Sequence, residues 1–257
     1  MKKFLLLLII LGAAYYWGTQ LAAPPAVPNP TQRTVAVADA GMPTWADVRE
    51  QYRRFTAFHD AFEAHLDRSR FTPSDDIPLL LRQAVVATED RRFYEHGAVD
   101  LMSIARAAMN NYQAGETLEG GSTITQQVIK NVLLSDERTW LRKGQEVLLA
   151  SQMERVYTKD EILDIYLNTI YYGSGAYGIG DAARIYFDTT PSRLTLAQCA
   201  MLAGIPQAPS ARNPFSDYQG AKERQRTVLT LMVRQGMISP STADAAYAQE
   251  LRLASAP

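Results

Sequence analysis

An uncharged segment near the N-terminus constrains this chain more than any other feature. Residues 4–23, FLLLLIILGAAYYWGTQLAA, contain no charged side chain and only two clearly polar ones, Thr19 and Gln20. A helix of this length crosses the roughly 30 Å hydrocarbon core of a bilayer. A cleaved secretory signal is the alternative, but the alanines before Pro24 and Pro25 form a poor cleavage pattern. We therefore expect an uncleaved transmembrane anchor.

The flanking charges predict how the anchor is oriented. Lys2 and Lys3 precede it, and no further lysine or arginine occurs before Arg33. Positive charge favours the cytoplasmic side of a membrane. We therefore expect residues 1–3 to form a cytoplasmic tail and the chain after the anchor to lie outside the cytoplasmic membrane. Residues 24–43 begin with four prolines in nine positions and read as a semi-rigid linker. Residues 44–257 then form one domain.

Composition narrows the class of protein. A formal net charge of -1 gives no electrostatic argument for a nucleic-acid partner. The single cysteine, Cys199, cannot form an internal disulfide and lies in an apolar run, which indicates a buried thiol. Helical periodicity persists from about Thr44 onward without a hairpin signal, so we expect a mainly α-helical fold.

One helix places a carboxylate where its pattern predicts a core residue. Asp75-Asp76 before Ile77-Pro78 resemble a cap-then-proline helix start. The apolar stripe that follows leads, at helical spacing, to Glu89; its members are Leu81, Ala84, Val85 and Thr88. Burial would raise the pKa of Glu89 and suit it to proton transfer near neutral pH. Alternatively, the helix ends one residue earlier and Glu89 is solvated.

Two further motifs carry charge or free backbone donors. In GGSTITQQVIKN, residues 120–131, a glycine turn precedes a helix start with Thr123 and Gln126 as a capping box. Such a helix start can bind an anion, and Lys130 lies two turns on, although the signal is weak by itself. In RKGQE, residues 142–146, Arg142, Lys143 and Glu146 share one helix face, as a surface ion pair or as part of a site.

The remaining sequence predicts further helices. KDEILDIYLN, residues 159–168, is a short amphipathic helix, and a glycine-rich loop covers residues 173–180. A compact helix ends at Gly204 and Pro206, and a helical pair near 220–235 and 240–250 closes the domain. His59 and His65 lie among carboxylates without a known metal-site spacing, so a solvated helix face is expected there.

These motifs, in this order, resemble the peptidoglycan glycosyltransferase family, which includes monofunctional biosynthetic transglycosylases and the polymerising module of class A penicillin-binding proteins. The resemblance runs from about Ala84 to Met237 through ATEDRRFYEHGAVD, GGSTITQQVIKN, RKGQE, KDEILDIYLN and AARIYF. It implies a lysozyme-like, mainly α fold with a head and a small membrane-facing jaw, at about residues 98–120. It also implies inverting polymerisation of lipid II into glycan strands, with release of the lipid diphosphate.

The resemblance assigns roles to individual residues. Glu89 matches the catalytic base that takes the proton of the acceptor 4-hydroxyl, and Glu146 matches the second carboxylate, near the departing diphosphate. Lys130, Arg142 and Lys143 match the positions that hold the diphosphate. The remaining matched residues line or shape the cleft: Asp90, Phe93, His96, Ser122, Gln126 and Gln127. A divalent cation, Mg²⁺ or Mn²⁺, can assist near Glu146; no organic cofactor is implied.

The same resemblance places the protein at a bacterial cytoplasmic membrane, with lipid II, a lipid-linked glycan and other wall-synthesis proteins as partners. Apolar residues of the expected jaw would touch lipid: Leu101, Met102, Ile104, Ala105 and Met109. These 257 residues contain neither Ser-x-x-Lys nor Lys-Thr-Gly, so we expect no transpeptidase activity. Two alternatives remain: a glycan-cleaving lytic transglycosylase or muramidase-like enzyme, and an inactive membrane-anchored scaffold.

Overall fold

The computed structural model describes residues 57–114, 121–134, 140–210 and 213–255, with the backbone alone at 108–114, 140 and 141. The predicted anchor at 4–23, the linker at 24–43 and the start of the domain lie outside this part. Within the described ranges, no helix is both long enough and apolar enough to cross a membrane.

The described chain is almost entirely helical, which confirms the predicted class. Within the described residues, the only β structure is an isolated bridge between Tyr171 and Tyr177. Three short 3-10 turns lie at Arg68–Arg70, Ser74–Asp76 and Pro191–Arg193. The described α-helices are α1 Phe58–Glu63, α2 Leu79–Glu89, α3 Leu101–Ala114, α4 Ile124–Leu133, α5 Trp140–Val156, α6 Lys159–Thr169, α7 Gly178–Phe187, α8 Leu196–Gly204, α9 Tyr218–Arg234 and α10 Pro240–Ala248.

The core forms where α2 packs against α8 and α9. Three residues of the predicted stripe are fully buried on α2, namely Leu81, Ala84 and Val85. Helix α8 is buried along most of its length and carries Cys199 in the interior, as predicted. The end of α2 is tied to α9, because the Gln235 side chain that follows α9 donates to the Ala87 carbonyl at 3.0 Å. Glu89 therefore lies at the end of a well-packed helix.

The start of α2 differs from the sequence prediction. The N-cap is Pro78, without a side-chain cap, while Asp75 and Asp76 belong to the preceding 3-10 turn. A proline disfavours the helical conformation at the residue before it, and Ile77 is accordingly extended, with φ -92° and ψ 114°. The extended residue separates the two aspartates from the first turn, so the predicted acidic cap is wrong.

Helix α4 packs against α5 and α6 and begins at a threonine cap. The Thr123 hydroxyl accepts a hydrogen bond from the Gln126 backbone nitrogen at 3.2 Å, as predicted. However, the Gln126 side chain donates to the Ala98 carbonyl at 2.8 Å, so the reciprocal half of the capping box is absent. The Thr123 hydroxyl donates to the same carbonyl at 3.0 Å. Gln126 thus joins α4 to the turn that follows α2.

Helix α3 occupies the predicted jaw. The Asp100 side chain caps it by accepting from the backbone nitrogens of Met102 and Ser103. Its first turns expose Leu101 and Met102, with 75% and 66% of their surfaces accessible. On another side of the helix, the Ile104 backbone lies so close to Gly121 that a Cβ there would come within 3.3 Å of the Ile104 Cα. Helix α3 therefore rests on the glycine turn that precedes α4.

The loop between α6 and α7 requires glycine where the chain reverses. Gly178 has φ +80°, donates its backbone N–H to the Ile170 carbonyl at 2.9 Å, and lies against α6. A Cβ at this position would lie 2.4 Å from the Asn168 carbonyl oxygen. Both the backbone conformation and the available space exclude a larger side chain.

We expect Gly178→Ala to lower the free energy of unfolding by at least about 2 kcal/mol, because it adds left-handed strain to a backbone clash. Gly144→Ala is the matched control. Gly144 lies inside α5, and a Cβ there would meet no atom of the described residues within 4 Å, so alanine should raise stability by about 0.5–1 kcal/mol. Urea unfolding measures both. Equal effects of the two substitutions on the free energy of unfolding would contradict the requirement for glycine at position 178.

Candidate active site

Glu89 is the last residue of α2, and its carboxylate is turned inward. The Oε2 atom accepts a hydrogen bond from Gln127 Nε2 at 3.0 Å. The Oε1 atom is buried and has no hydrogen-bond partner among the described residues. Of the two interpretations of the sequence, the structure supports the desolvated one: the helix includes Glu89, whose side chain is half-buried with its Oε1 atom shielded from solvent.

Burial dominates the electrostatics of this carboxylate. Desolvation raises the pKa of Glu89 above its usual value, and the neighbouring Asp90 raises it further. The Gln127 hydrogen bond and the positive charge of Arg224, on α9, act in the opposite direction and leave the pKa of Glu89 raised. A carboxylate in this state holds a proton more readily at neutral pH than a solvated one, which suits a general base.

The turn after Glu89 is fixed by Asp90. Its Oδ1 lies 2.7 Å from His96 Nε2, and its Oδ2 accepts from the Ile124 backbone nitrogen at 3.1 Å. His96 Nδ1 lies 2.6 Å from the Gly97 carbonyl oxygen. Phe93 is fully buried in the same turn, with Lys159 Nζ 4.4 Å from its ring centroid. These contacts attach the turn to the start of α4 and to α6.

A second cluster of charge surrounds Glu146 on α5. Glu146 is only 2% exposed, and its Oε2 accepts from Arg142 Nη1 at 2.9 Å while its Oε1 contacts Lys143 Nζ. Lys143 Nζ also donates to Ser122 Oγ and to Gln126 Oε1, both at 3.0 Å. The RKGQE motif is therefore not a simple surface ion pair, because its carboxylate is buried and its lysine reaches across to the start of α4.

Adjacent residues of α4 connect the two clusters. Gln127 binds Glu89, and its neighbour Gln126 binds Lys143. Lys130, which is exposed, lies one helical turn beyond Gln126 on the same face of α4. The structure thus brings a partly desolvated carboxylate and Lys143 into contact with one helix, an association that the family resemblance implied.

Two residues near Glu89 were missed by the sequence analysis. Tyr166, on α6, is fully buried, and its hydroxyl lies 3.4 Å from Gln127 Oε1. Its inward position followed from the helical pattern, but its partner did not. Arg224 influences the charge of Glu89 from α9, and no local pattern indicated it because the two residues are far apart in the sequence.

We expect Glu89→Gln to stabilise the fold at neutral pH. The pKa of Glu89 is raised in the folded protein, so protonation of this group stabilises the fold. That stabilisation is fully present below the pKa of the unfolded chain, near 4.5, and is lost as the pH rises through the pKa of the folded protein. The variant should therefore gain unfolding free energy over the parent at pH 7 and lose that advantage near pH 4. Chemical unfolding at both pH values measures the difference.

Glu63→Gln is the control of opposite sign. The hydrogen bond from Arg68 lowers the pKa of Glu63, so its contribution is present above pH 4.5 and is lost as pH falls. This substitution should destabilise the protein at pH 7. A stability gain for Glu89→Gln that does not change with pH would contradict the buried-carboxylate assignment.

Known proteins are similar to this chain in sequence. The Transglycosylase family model matches residues 57–233. Penicillin-binding protein 1A of Neisseria flavescens is 49% identical over 184 residues, which is 72% of this chain and 23% of that protein. Penicillin-binding protein 1A/1B of Bacillus subtilis is 49% identical over 180 residues, covering 70% of this chain and 20% of that protein.

Among solved structures, penicillin-binding protein 1A from Haemophilus influenzae matches with a TM-score of 0.42 and 24% identity, over 71% of this chain and 18% of that chain. This chain spans under a quarter of the length of the curated relatives described above. The family match covers more than half of the chain and contains both charge clusters around α4. The chain belongs to the transglycosylase family.

Proposed function

We propose that this protein is a peptidoglycan glycosyltransferase that polymerises lipid II into glycan strands for the bacterial cell wall. The observation that carries the proposal is the pairing on α4, where Gln127 binds a buried carboxylate and Gln126 binds a cation. A desolvated base beside fixed positive charge suits transfer of a sugar from a diphosphate leaving group. The family match supports the same chemistry.

In the proposed reaction, Glu89 removes the proton from the 4-hydroxyl of the acceptor sugar. The electron pair left on that oxygen forms a bond to the anomeric carbon of the lipid-linked donor. The bond from that carbon to the diphosphate breaks at the same time, and the diphosphate leaves with the bonding electrons. Attack opposite the leaving group inverts the anomeric centre. Burial of Glu89 supports this role because it raises the carboxylate's affinity for the proton.

Cations offset the charge that builds up on the departing diphosphate. Lys130 is exposed on α4 and is the cation of this set most accessible to a ligand. Arg142 and Lys143 contribute positive charge from α5, where Glu146 holds both in place. Fixed charges stabilise a developing anion without having to reorganise during the reaction. We therefore assign Glu146 to positioning these two cations.

The divalent cation expected near Glu146 does not fit this arrangement. Both carboxylate oxygens already contact positively charged side chains, Arg142 on one oxygen and Lys143 on the other. Mg²⁺ or Mn²⁺ would have to displace one of them, against electrostatic repulsion from both. The proposed mechanism contains no step through a metal ion at Glu146.

The proposal also places the protein at the outer face of the cytoplasmic membrane, because a lipid-linked substrate is delivered from a bilayer. Exposed apolar residues on α3, among them Leu101, Met102 and Ile104, support contact with lipid at the predicted jaw. Lipid II and a lipid-linked glycan are the proposed substrates, and other wall-synthesis proteins are proposed partners. The proposal is confined to glycosyl transfer.

A glycan-cleaving enzyme is the competing function, because it too would use a glutamate in a cleft. The cations around Glu146 favour transfer from a diphosphate, since cleavage of a glycosidic bond between sugars releases no diphosphate. Glu89 argues against an inactive scaffold, because its buried Oε1 has no hydrogen-bond partner among the described residues, which costs stability that a catalytic role would explain.

Purified protein incubated with labelled lipid II should form glycan polymer, and Glu89→Gln should form essentially none. Glu95→Gln is the matched control: Glu95 lies six residues away in the same segment, with a 67% exposed side chain paired to Arg92. Gel separation of the labelled products measures the outcome. Release of soluble fragments from mature wall, with lipid II left untouched, would refute the proposal in favour of the cleaving enzyme.

We expect Lys130→Ala to reduce kcat/KM for lipid II by about 100-fold, because it removes a fixed charge from the leaving group. Lys130 is exposed, so the thermal unfolding midpoint should stay unchanged. Arg193→Ala, at an exposed cation in the turn Pro191–Arg193, is the control and should retain parent activity. Equal rates for the parent and Lys130→Ala would remove Lys130 from the mechanism.

A further inference from the structure

Tyr166 places a hydroxyl beside the only hydrogen bond that Glu89 makes to a described side chain. The residue lies on α6 and is fully buried. Its hydroxyl oxygen is 3.4 Å from Gln127 Oε1, and Gln127 Nε2 is 3.0 Å from Glu89 Oε2. Three side chains from three helices therefore form one continuous chain of polar contacts that ends at the catalytic carboxylate.

The chemistry of the three groups fixes the direction of this chain. A carboxylate only accepts hydrogen bonds, so the NH₂ group of Gln127 must face Glu89. The amide oxygen then faces Tyr166, and the tyrosine hydroxyl must donate to it. The reversed amide would place two acceptor oxygens together at Glu89. The hydroxyl thus favours the one amide orientation in which Gln127 can bind the carboxylate.

The chain also distinguishes the two oxygens of Glu89. Oε2 is engaged by Gln127, whereas Oε1 is buried without a hydrogen-bond partner among the described residues. We propose that Tyr166 is a positioning residue: it orients the Gln127 amide, which holds Oε2 and so fixes the carboxylate that takes the acceptor proton. This inference rests on the proposed function.

The length of the contact fits a role in orientation. At 3.4 Å the hydroxyl contact is longer than the usual O–H···O distance, so it contributes little stability. Hydrogen bonds at active sites are often long before substrate binds and tighten afterwards. The tyrosine side chain that carries the hydroxyl is fully buried.

Besides Gln127 and Tyr166, several ionisable groups lie near Glu89, and some of them also shift its pKa. Arg224 on α9 lowers the pKa of Glu89, and Asp90, which follows α2, raises it. Burial raises the pKa of Tyr172, and the nearby Cys199 of α8 and Glu89 add to that rise. None of these residues makes the Gln127 contact. Substitutions at Tyr166 and Gln127 therefore leave the charged surroundings of Glu89 in place.

The test is the pH dependence of kcat for lipid II polymerisation by the full chain. The Gln127 hydrogen bond lowers the pKa of Glu89, so weakening it should raise that pKa. The acidic limb of the profile, which requires ionised Glu89, should then move to higher pH. Tyr166→Phe keeps the ring and removes only the hydroxyl, and we expect a shift of about 0.5 pH unit.

Gln127→Met should move the limb at least as far, and the double variant should move it no further than Gln127→Met alone, because both changes break one chain. Tyr186→Phe is the matched control. Its buried hydroxyl donates to the Tyr172 carbonyl at 2.8 Å, so its loss should lower stability and leave the acidic limb in place.

Three outcomes would overturn the inference. If the pH profile of Tyr166→Phe coincides with that of the parent, Tyr166 does not orient the Gln127 amide. If the pH shifts of the two single variants add in the double variant, the two residues act independently. If Tyr166→Phe does not fold, as judged by thermal unfolding, an unmoved limb in Gln127→Met still refutes it. A parent protein that forms no polymer refutes the proposed function itself, which is a different result.

Discussion

The hydrogen bond between Gln127 and Glu89 is the contact on which the site depends, because it joins a carboxylate at the end of α2 to the helix that also reaches the cations. Burial disfavours the ionised carboxylate, and the single amide contact compensates only in part. The fold tolerates this because α2 is anchored independently, through its packing against α8 and α9 and the contact from Gln235 to Ala87. A rigid core thus offsets the destabilising effect of the site.

Much of this arrangement could be predicted from the sequence, for identifiable reasons. The stripe through Leu81 and Val85 indicated both the buried face of α2 and the direction of Glu89, because helical periodicity fixes which side chains share a face. The helix at Lys159–Thr169 followed from its amphipathic pattern, and the end of the helix Leu196–Gly204 followed from Gly204 and Pro206. The resemblance to a known family indicated that α4 and α5 would contribute to one site, which spacing alone did not.

The failures concern tertiary partners and, at the start of α2, the local backbone. The Gln126 side chain left the predicted capping box because the Ala98 carbonyl, brought near by the fold, offered it another acceptor. The acidic cap on α2 failed because the backbone preference before Pro78 outweighed the capping preference of Asp75 and Asp76. Tyr166 and Arg224 act on Glu89 from other helices, and local sequence contains no information about such pairings.

The close approach of α3 to Gly121 has a mechanical consequence. Ile104 rests directly on this glycine, and the next residue, Ser122, accepts a hydrogen bond from Lys143. The helix that displays exposed apolar side chains is thus separated by one peptide unit from the residue that contacts Lys143. A displacement of α3, for example on meeting a lipid surface, would press on the Gly121 backbone and reach the Lys143 ammonium group through the Ser122 side chain.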